Sequence, residues 1–197
     1  MLTVLLTGGI ATGKSTITKY FLEHHICCID ADLIAREQLD ALKPQLAKWL
    51  GQKIILPDGS IDRAVVRQLI FSDNRKRLKL EKWLHPLIYR EMQRRAQAVK
   101  SPYLIYIVPL FTQEACPLTY TRILKVICDP ALQLKRLYNR YPHQKTLIPR
   151  ILRYQTASSI TNADDLIYND GNIKSLNNTL DTLHRLYLKL AKSSILL

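Results

Sequence analysis

Near its start the chain reads Val4-Leu5-Leu6-Thr7-Gly8-Gly9-Ile10-Ala11-Thr12-Gly13-Lys14-Ser15-Thr16. A short apolar run stops at two glycines, and Lys14 to His24 then carries Ile17, Phe21 and Leu22 at helical spacing. Strand, glycine-bounded loop and helix, with Gly8, Gly13, Lys14 and Ser15 at GxxxxGK[ST] spacing, form a phosphate-binding loop. The residue types suit that task. Glycine lets backbone N–H groups close around phosphate oxygens. The helix amino end adds a favourable dipole. Lys14 reaches the β- and γ-phosphates, and the Ser15 hydroxyl offers a position to Mg²⁺. A glycine turn beside a solvated lysine is the plain alternative. The matching strand and helix on either side weigh against it.

The rest of the chain repeats the alternation. Ile26–Ile29, Tyr103–Val108, Ile123–Cys128 and Leu166–Tyr168 read as buried strands, each followed by turn or cap chemistry. Asp62 and Asp129-Pro130 start helices. A helical pattern follows Asp30-Ala31-Asp32 through Leu33 and Ile34, and less clearly through Leu46 and Leu50. Another runs from Asp73 to Val99, where Pro86 is expected to break or kink it. The tail is an amphipathic helix carrying Leu176, Leu180, Leu183 and Leu190. The pattern predicts an α/β fold with a mainly parallel sheet, interrupted by a helical insertion over the carboxyl ends of the strands. At 197 residues it is one domain.

With 29 Lys and Arg against 16 Asp and Glu, the formal charge is +13, which favours anionic partners. Cys27, Cys28, Cys116 and Cys128 lack metal or disulfide spacing and read as thiols in a reducing compartment. No apolar run approaches the ~20 residues of a membrane span. The expected location is the cytoplasm.

A phosphate loop specifies a nucleotide, not a reaction. No NKxD or ABC signature is present, and no acid ends the strand Tyr103–Val108 where an ATPase would hold magnesium. The acids sit instead at Asp30 and Asp32, after the second strand. A kinase for small hydroxyl substrates needs such a carboxylate to accept a proton. Asp30 also reads as a helix N-cap, which leaves Asp32 the better base.

These segments resemble the dephospho-CoA kinase family. The resemblance rests on Leu6–Thr16, on Ile29-Asp30-Ala31-Asp32-Leu33-Ile34-Ala35-Arg36, and on Asp58-Gly59 with Asp62-Arg63 and Phe71. It continues through His85-Pro86-Leu87-Ile88, Val108-Pro109-Leu110, Gln133–Arg136, Arg150-Ile151 with Gln155, and Ala163-Asp164-Asp165 to Asn169 and Gly171. It implies a three-layer P-loop NTPase core with a parallel sheet, a helical substrate-binding insertion and a small helical lid. By position these are residues 1–58, 101–137 and 158–197 for the core, 59–100 for the substrate region and 138–157 for the lid. It implies transfer of the ATP γ-phosphate to the ribose 3′-hydroxyl of dephospho-CoA, the final step of coenzyme A synthesis, with Mg²⁺.

Residue by residue, the resemblance makes Asp32 the base, and Lys14 and Ser15 the phosphate and magnesium residues. Gly8, Gly9, Ile10, Ala11, Thr12, Gly13 and Thr16 complete the cradle. Arg140 is the lid arginine, and Arg136, one turn earlier, is a second contact to nucleotide or a solvated cation. Arg36 touches a substrate phosphate or pairs with Asp32 at i,i+4. His85 touches substrate or is a core histidine at a helix break. Asn169 and Gly171 sit near the adenine.

The chain departs from the family in several places. Ala11-Thr12 stands where Gly-Ser is usual, and the Pro-Gly after Ala35-Arg36 is missing. Gln113 replaces a common glutamate, and Tyr141 to Lys145 lacks the usual acidic and hydroxyl residues. Two other readings compete. Lys135, Arg136, Arg140, Lys145, Arg150 and Arg153 with Tyr138, Tyr141 and Tyr154 could bind nucleic acid. A different small-molecule kinase would share the loop and the lid. The expected partners are ATP and dephospho-CoA, with no nucleic acid or membrane, and a monomer or weak homo-oligomer.

Overall fold

The computed structural model describes residues 1–109, 116–142 and 162–193, with Ile148 and Leu152. Five strands form one sheet: β1 (Leu2–Gly8), β2 (Cys27–Asp30), β3 (Tyr103–Ile107), β4 (Arg122–Ile127) and β5 (Asp165–Tyr168). Their order is β2-β3-β1-β4-β5, and every pairing is parallel. β1 lies in the centre, and Leu2 through Thr7 are all buried. That is why Val4-Leu5-Leu6 runs apolar without alternation, with only the small hydroxyls of Thr3 and Thr7 beside it. The register puts Leu6, Ile107 and Asp30 in one row across the sheet. The phosphate loop and the end of β2 therefore leave the same, carboxyl edge.

Helix α1 (Lys14–Glu23) and the last helix, α7 (Ile173–Ser193), supply Ile17, Phe21, Leu180 and Tyr187 to the sheet's main core cluster. Tyr103, at the start of β3, packs edge-on against both Phe21 and Tyr187. Asp165 accepts two bonds from Arg122, each 2.9 Å, and one from the Tyr187 hydroxyl at 2.8 Å. This ties β4, β5 and α7 together. No described helix is long and apolar enough to cross a membrane.

The compact units are residues 1–30 with 95–197, and residues 31–94. The second unit begins earlier than the helical insertion expected over 59–100. The stretch 31–58 joins it because α2 (Ala31–Ala41) packs on α3 (Lys43–Leu50), α3 on a 3-10 turn at Gln52–Ile54, and that turn on α4 (Arg63–Ser72). Ile34, Leu46, Ile54, Val66 and Leu84 are buried in this unit. The single helix pattern expected from Leu33 to Leu50 divides at Leu42, and Pro44 falls in the first turn of α3, where its missing N–H costs nothing. Asp62 caps α4 as expected, accepting from Ala64 and Val65 N–H at 3.0 Å each.

Helix α5 runs unbroken from Asn74 to Gln97, straight through Pro86. Of the break or kink expected at Pro86, the break is absent. Pro86 is exposed, so the Lys82 carbonyl that loses its donor has water available. After β4, Asp129 and Pro130 start α6 (Pro130–Arg140) as expected. Most of the 138–157 segment expected to form the lid lies outside the described residues, as does Gln113.

Candidate nucleotide site

β1 delivers the chain to Gly8, where a side chain would collide with the Val126 carbonyl of β4. Gly13, with φ of 107°, ends the loop against the side-chain amide of Asn169, again leaving no space for a Cβ. Both ends of the loop therefore require glycine for its lack of a side chain as well as for its backbone. Between them Ala11 adopts φ of 59°, a left-handed conformation without glycine's freedom. The Thr12 hydroxyl donates to the Gly9 carbonyl at 2.9 Å, closing the turn from inside. The Lys14 ammonium donates to the Gly8 and Gly9 carbonyls at 2.7 and 2.8 Å, so it lies back over its own loop. Ser15 and Thr16 follow in the exposed first turn of α1.

Other elements hold the loop from outside. Gln133 in α6 donates its amide N–H to the Ile10 carbonyl at 2.7 Å. Asn169 leaves β5 with its backbone N–H on the Ile127 carbonyl at 2.8 Å. It is only 5% exposed, and its Nδ2 donates to the Thr12 carbonyl at 2.8 Å. Arg136 touches the Ala11 and Thr12 carbonyls at 3.4 and 3.5 Å, and the Asn169 Oδ1 at 3.4 Å. Those distances are long for N–H···O bonds, so the Arg136 guanidinium is held loosely and retains donors for an anion. Gly171 N–H donates to Asn169 Oδ1 at 3.3 Å. Beside Arg136, burial raises the Cys128 thiol above its ordinary range while the arginine pulls it the other way.

The structure thus brings Gly8 through Thr16, Arg136, Asn169 and Gly171 together in one unit. Arg140 lies in the last, exposed turn of α6, its guanidinium 5.6 Å from the Tyr141 ring. Asp30 is the last, half-buried residue of β2, and α2 starts directly after it. Asp32 falls in the first turn of α2 and Arg36 one turn later, both exposed. His85 is exposed in mid-helix, 6.0 Å from the Tyr89 ring. That corrects the alternative of a core histidine at a helix break. Among the described residues no group of three His, Cys, Asp or Glu could hold a metal.

Gln133 is the site residue to which the sequence reading gave no role. Its signal was the strong helix start at Asp129-Pro130, which puts Gln133, Arg136 and Arg140 at i, i+3 and i+7 on one face.

A family model described as dephospho-CoA kinase matches residues 2–175. The dephospho-CoA kinase of Aggregatibacter actinomycetemcomitans is 36% identical over 196 residues, covering 95% of each chain. That of Hahella chejuensis is 36% identical over 196 residues, covering 97% of this chain and 94% of the other. Among solved structures, TT1252 from Thermus thermophilus superposes with a TM-score of 0.75 at 19% identity, covering 93% of this chain and 96% of its own. Campylobacter jejuni dephospho-CoA kinase gives 0.69 at 21% identity over 98% of each chain. An Acinetobacter baumannii shikimate kinase gives 0.53 at 13% identity, covering 96% of this chain and 94% of its own. These last three likenesses are of fold.

Proposed function

The chain belongs to the dephospho-CoA kinase family, and we propose that it transfers the γ-phosphate of ATP to the ribose 3′-hydroxyl of dephospho-CoA. It is an ATP-dependent kinase. The observation that carries the reading is the loop from Gly8 to Ser15, held at Ile10 and Thr12 by Gln133 and Asn169, at the carboxyl edge of a parallel sheet. Ligands bind at that edge in open α/β folds.

Lys14 and the loop N–H groups hold the β- and γ-phosphates. Arg136 and Arg140 meet nucleotide charge, with residues 138–157 as the lid. Asn169 and Gly171 flank the base. Asp32 orients the hydroxyl and takes its proton as the phosphoryl group arrives. Its support is its chain position, two residues beyond the row that Asp30 shares with Leu6. Arg36 and His85 contact the acceptor, with residues 59–100 as its binding region.

Mg²⁺ fits the donor chemistry: the exposed Ser15 hydroxyl is a hard oxygen next to Lys14, and this ion is normally carried by one or two protein oxygens with phosphates and water. When bound, it neutralises charge on the β- and γ-phosphates. Both substrates are small polyanions, so the +13 charge serves them rather than nucleic acid or a membrane. The four free cysteines suit the cytoplasm. The working unit is a monomer or weak homo-oligomer.

The test is a coupled ADP-release assay with Mg-ATP, with dephospho-CoA, AMP or CMP as acceptor and the product weighed by mass spectrometry. ADP release should depend on dephospho-CoA and add one phosphate to it. Asp32→Ala should cut turnover about 10²–10⁴-fold, the range of a lost general base, with ATP binding retained. Loss of ATP binding together with turnover would make Asp32 a nucleotide or structural residue. Equal use of AMP or CMP would sink the acceptor assignment.

A further inference from the structure

The left-handed Ala11 is bracketed by two short bonds that reach the loop from other elements. Gln133 holds the carbonyl before it, at 2.7 Å, and Asn169 the carbonyl after it, at 2.8 Å. In a trans peptide the carbonyl of one residue and the N–H of the next point to opposite sides. Holding the Ile10 carbonyl outward therefore turns the Ala11 N–H inward. Holding the Thr12 carbonyl outward does the same for Gly13. A left-handed residue within a turn is an arrangement that makes successive N–H groups converge on an anion. At a non-glycine residue that conformation costs roughly 1–2 kcal/mol and persists only where the surroundings enforce it.

We propose that Gln133 is a positioning residue for phosphate binding: its amide sets the Ile10–Ala11 peptide so that the Ala11 N–H faces the nucleotide phosphates. The proposal rests on the reading of this loop as the ATP phosphate site. Gln133 itself touches no reacting atom. It also mounts the loop on the helix that carries Arg136 and Arg140, so the cradle and those cations share one rigid support.

Two variants test it. Gln133→Met keeps the volume and removes the donor. Gln133→Glu keeps the shape and turns a carboxylate oxygen toward the Ile10 carbonyl. The measurements are KM for ATP, KM for dephospho-CoA, Mg-ADP affinity by calorimetry, and melting temperature. KM for ATP and the Mg-ADP dissociation constant should rise together, about three- to tenfold, as expected for one lost hydrogen bond. KM for dephospho-CoA should stay at its wild-type value and the melting temperature should fall by no more than about 2–4 °C, the cost of one hydrogen bond in a chain of this size, with Gln133→Glu the worse variant. The proposal is overturned if both variants keep KM for ATP within twofold of wild type. It is equally overturned if both KM values rise with a falling melting temperature, since Gln133 would then be a packing residue. Lys14→Ala separates the proposal from its foundation. If it leaves Mg-ADP affinity intact, the loop is not the phosphate site. If it abolishes that affinity while the Gln133 variants match wild type, only the positioning role falls.

Discussion

Ala11 shows how a departure from a family pattern acquires a physical cost. Glycine is usual there in the family this chain resembles, and the backbone at that position has φ of 59°. A Cβ in that region is disfavoured by roughly 1–2 kcal/mol, against about 0.5–1 kcal/mol of extra chain entropy that glycine loses on folding. Ala11→Gly should therefore stabilise the protein slightly, by up to about 1 kcal/mol. Urea denaturation of the two proteins checks this, and a lower midpoint for Ala11→Gly would mean that the alanine methyl makes contacts worth more than the strain. The neighbouring departure is milder. Thr12 keeps the hydroxyl that closes the turn on the Gly9 carbonyl, as a serine would.

Among the elements, α5 carries the clearest conflict between local chemistry and structure. Pro86 removes one intrahelical bond and crowds the preceding turn, at a cost of about 3 kcal/mol in a regular helix interior. Its exposure offsets part of that. Pro86→Ala should raise stability by about 1–3 kcal/mol, read as a higher urea midpoint with an unchanged slope. An unchanged midpoint would mean that the helix is already relaxed around the proline. The strands and the caps at Asp62 and Asp129 were legible because apolar runs and N-cap carboxylates are local signals. The divide at Leu42 was not, since neither side of it breaks the apolar periodicity sharply. Nor was the grouping of 31–58 with α4 and α5, which depends on which face of α3 meets the 3-10 turn. At the site, Lys14 and the glycines were legible from spacing. The grip of Gln133 on Ile10 was not, because it joins positions 123 residues apart and leaves no periodic trace.

At the scale of the molecule, the amino ends of the strands hold a second cluster of polar groups. There the Tyr103 hydroxyl lies 2.6 Å from His184 Nδ1, and the His24 ring centroid is 5.2 Å from that of His184. Tyr20, stacked on His24, bonds to Asp181. Burial first, and His24 second, push His184 below its ordinary range, with Asp181 acting in the opposite direction. A base held neutral in the folded state binds fewer protons than in the unfolded chain. Its contribution is thus intact above the ordinary histidine value of about 6.5 and is lost as pH falls below it. Stability measured by urea between pH 8 and 5 should decline over the acid half of that range, and His184→Asn should flatten the decline. An unchanged slope in the variant would assign the effect to other groups. The sheet order has a consequence for synthesis. β1 precedes the other described strands in the chain, yet its partners begin at Tyr103 and Arg122, and the loop's outer holds come from Gln133 and Asn169. Nearly all the pairing is non-local, which slows folding. A nascent chain on the ribosome carries the phosphate motif long before its supports, and cannot assemble the cradle until Asn169 has emerged. Nucleotide in the cell then stabilises chains that have reached that point and does nothing for those that stopped short.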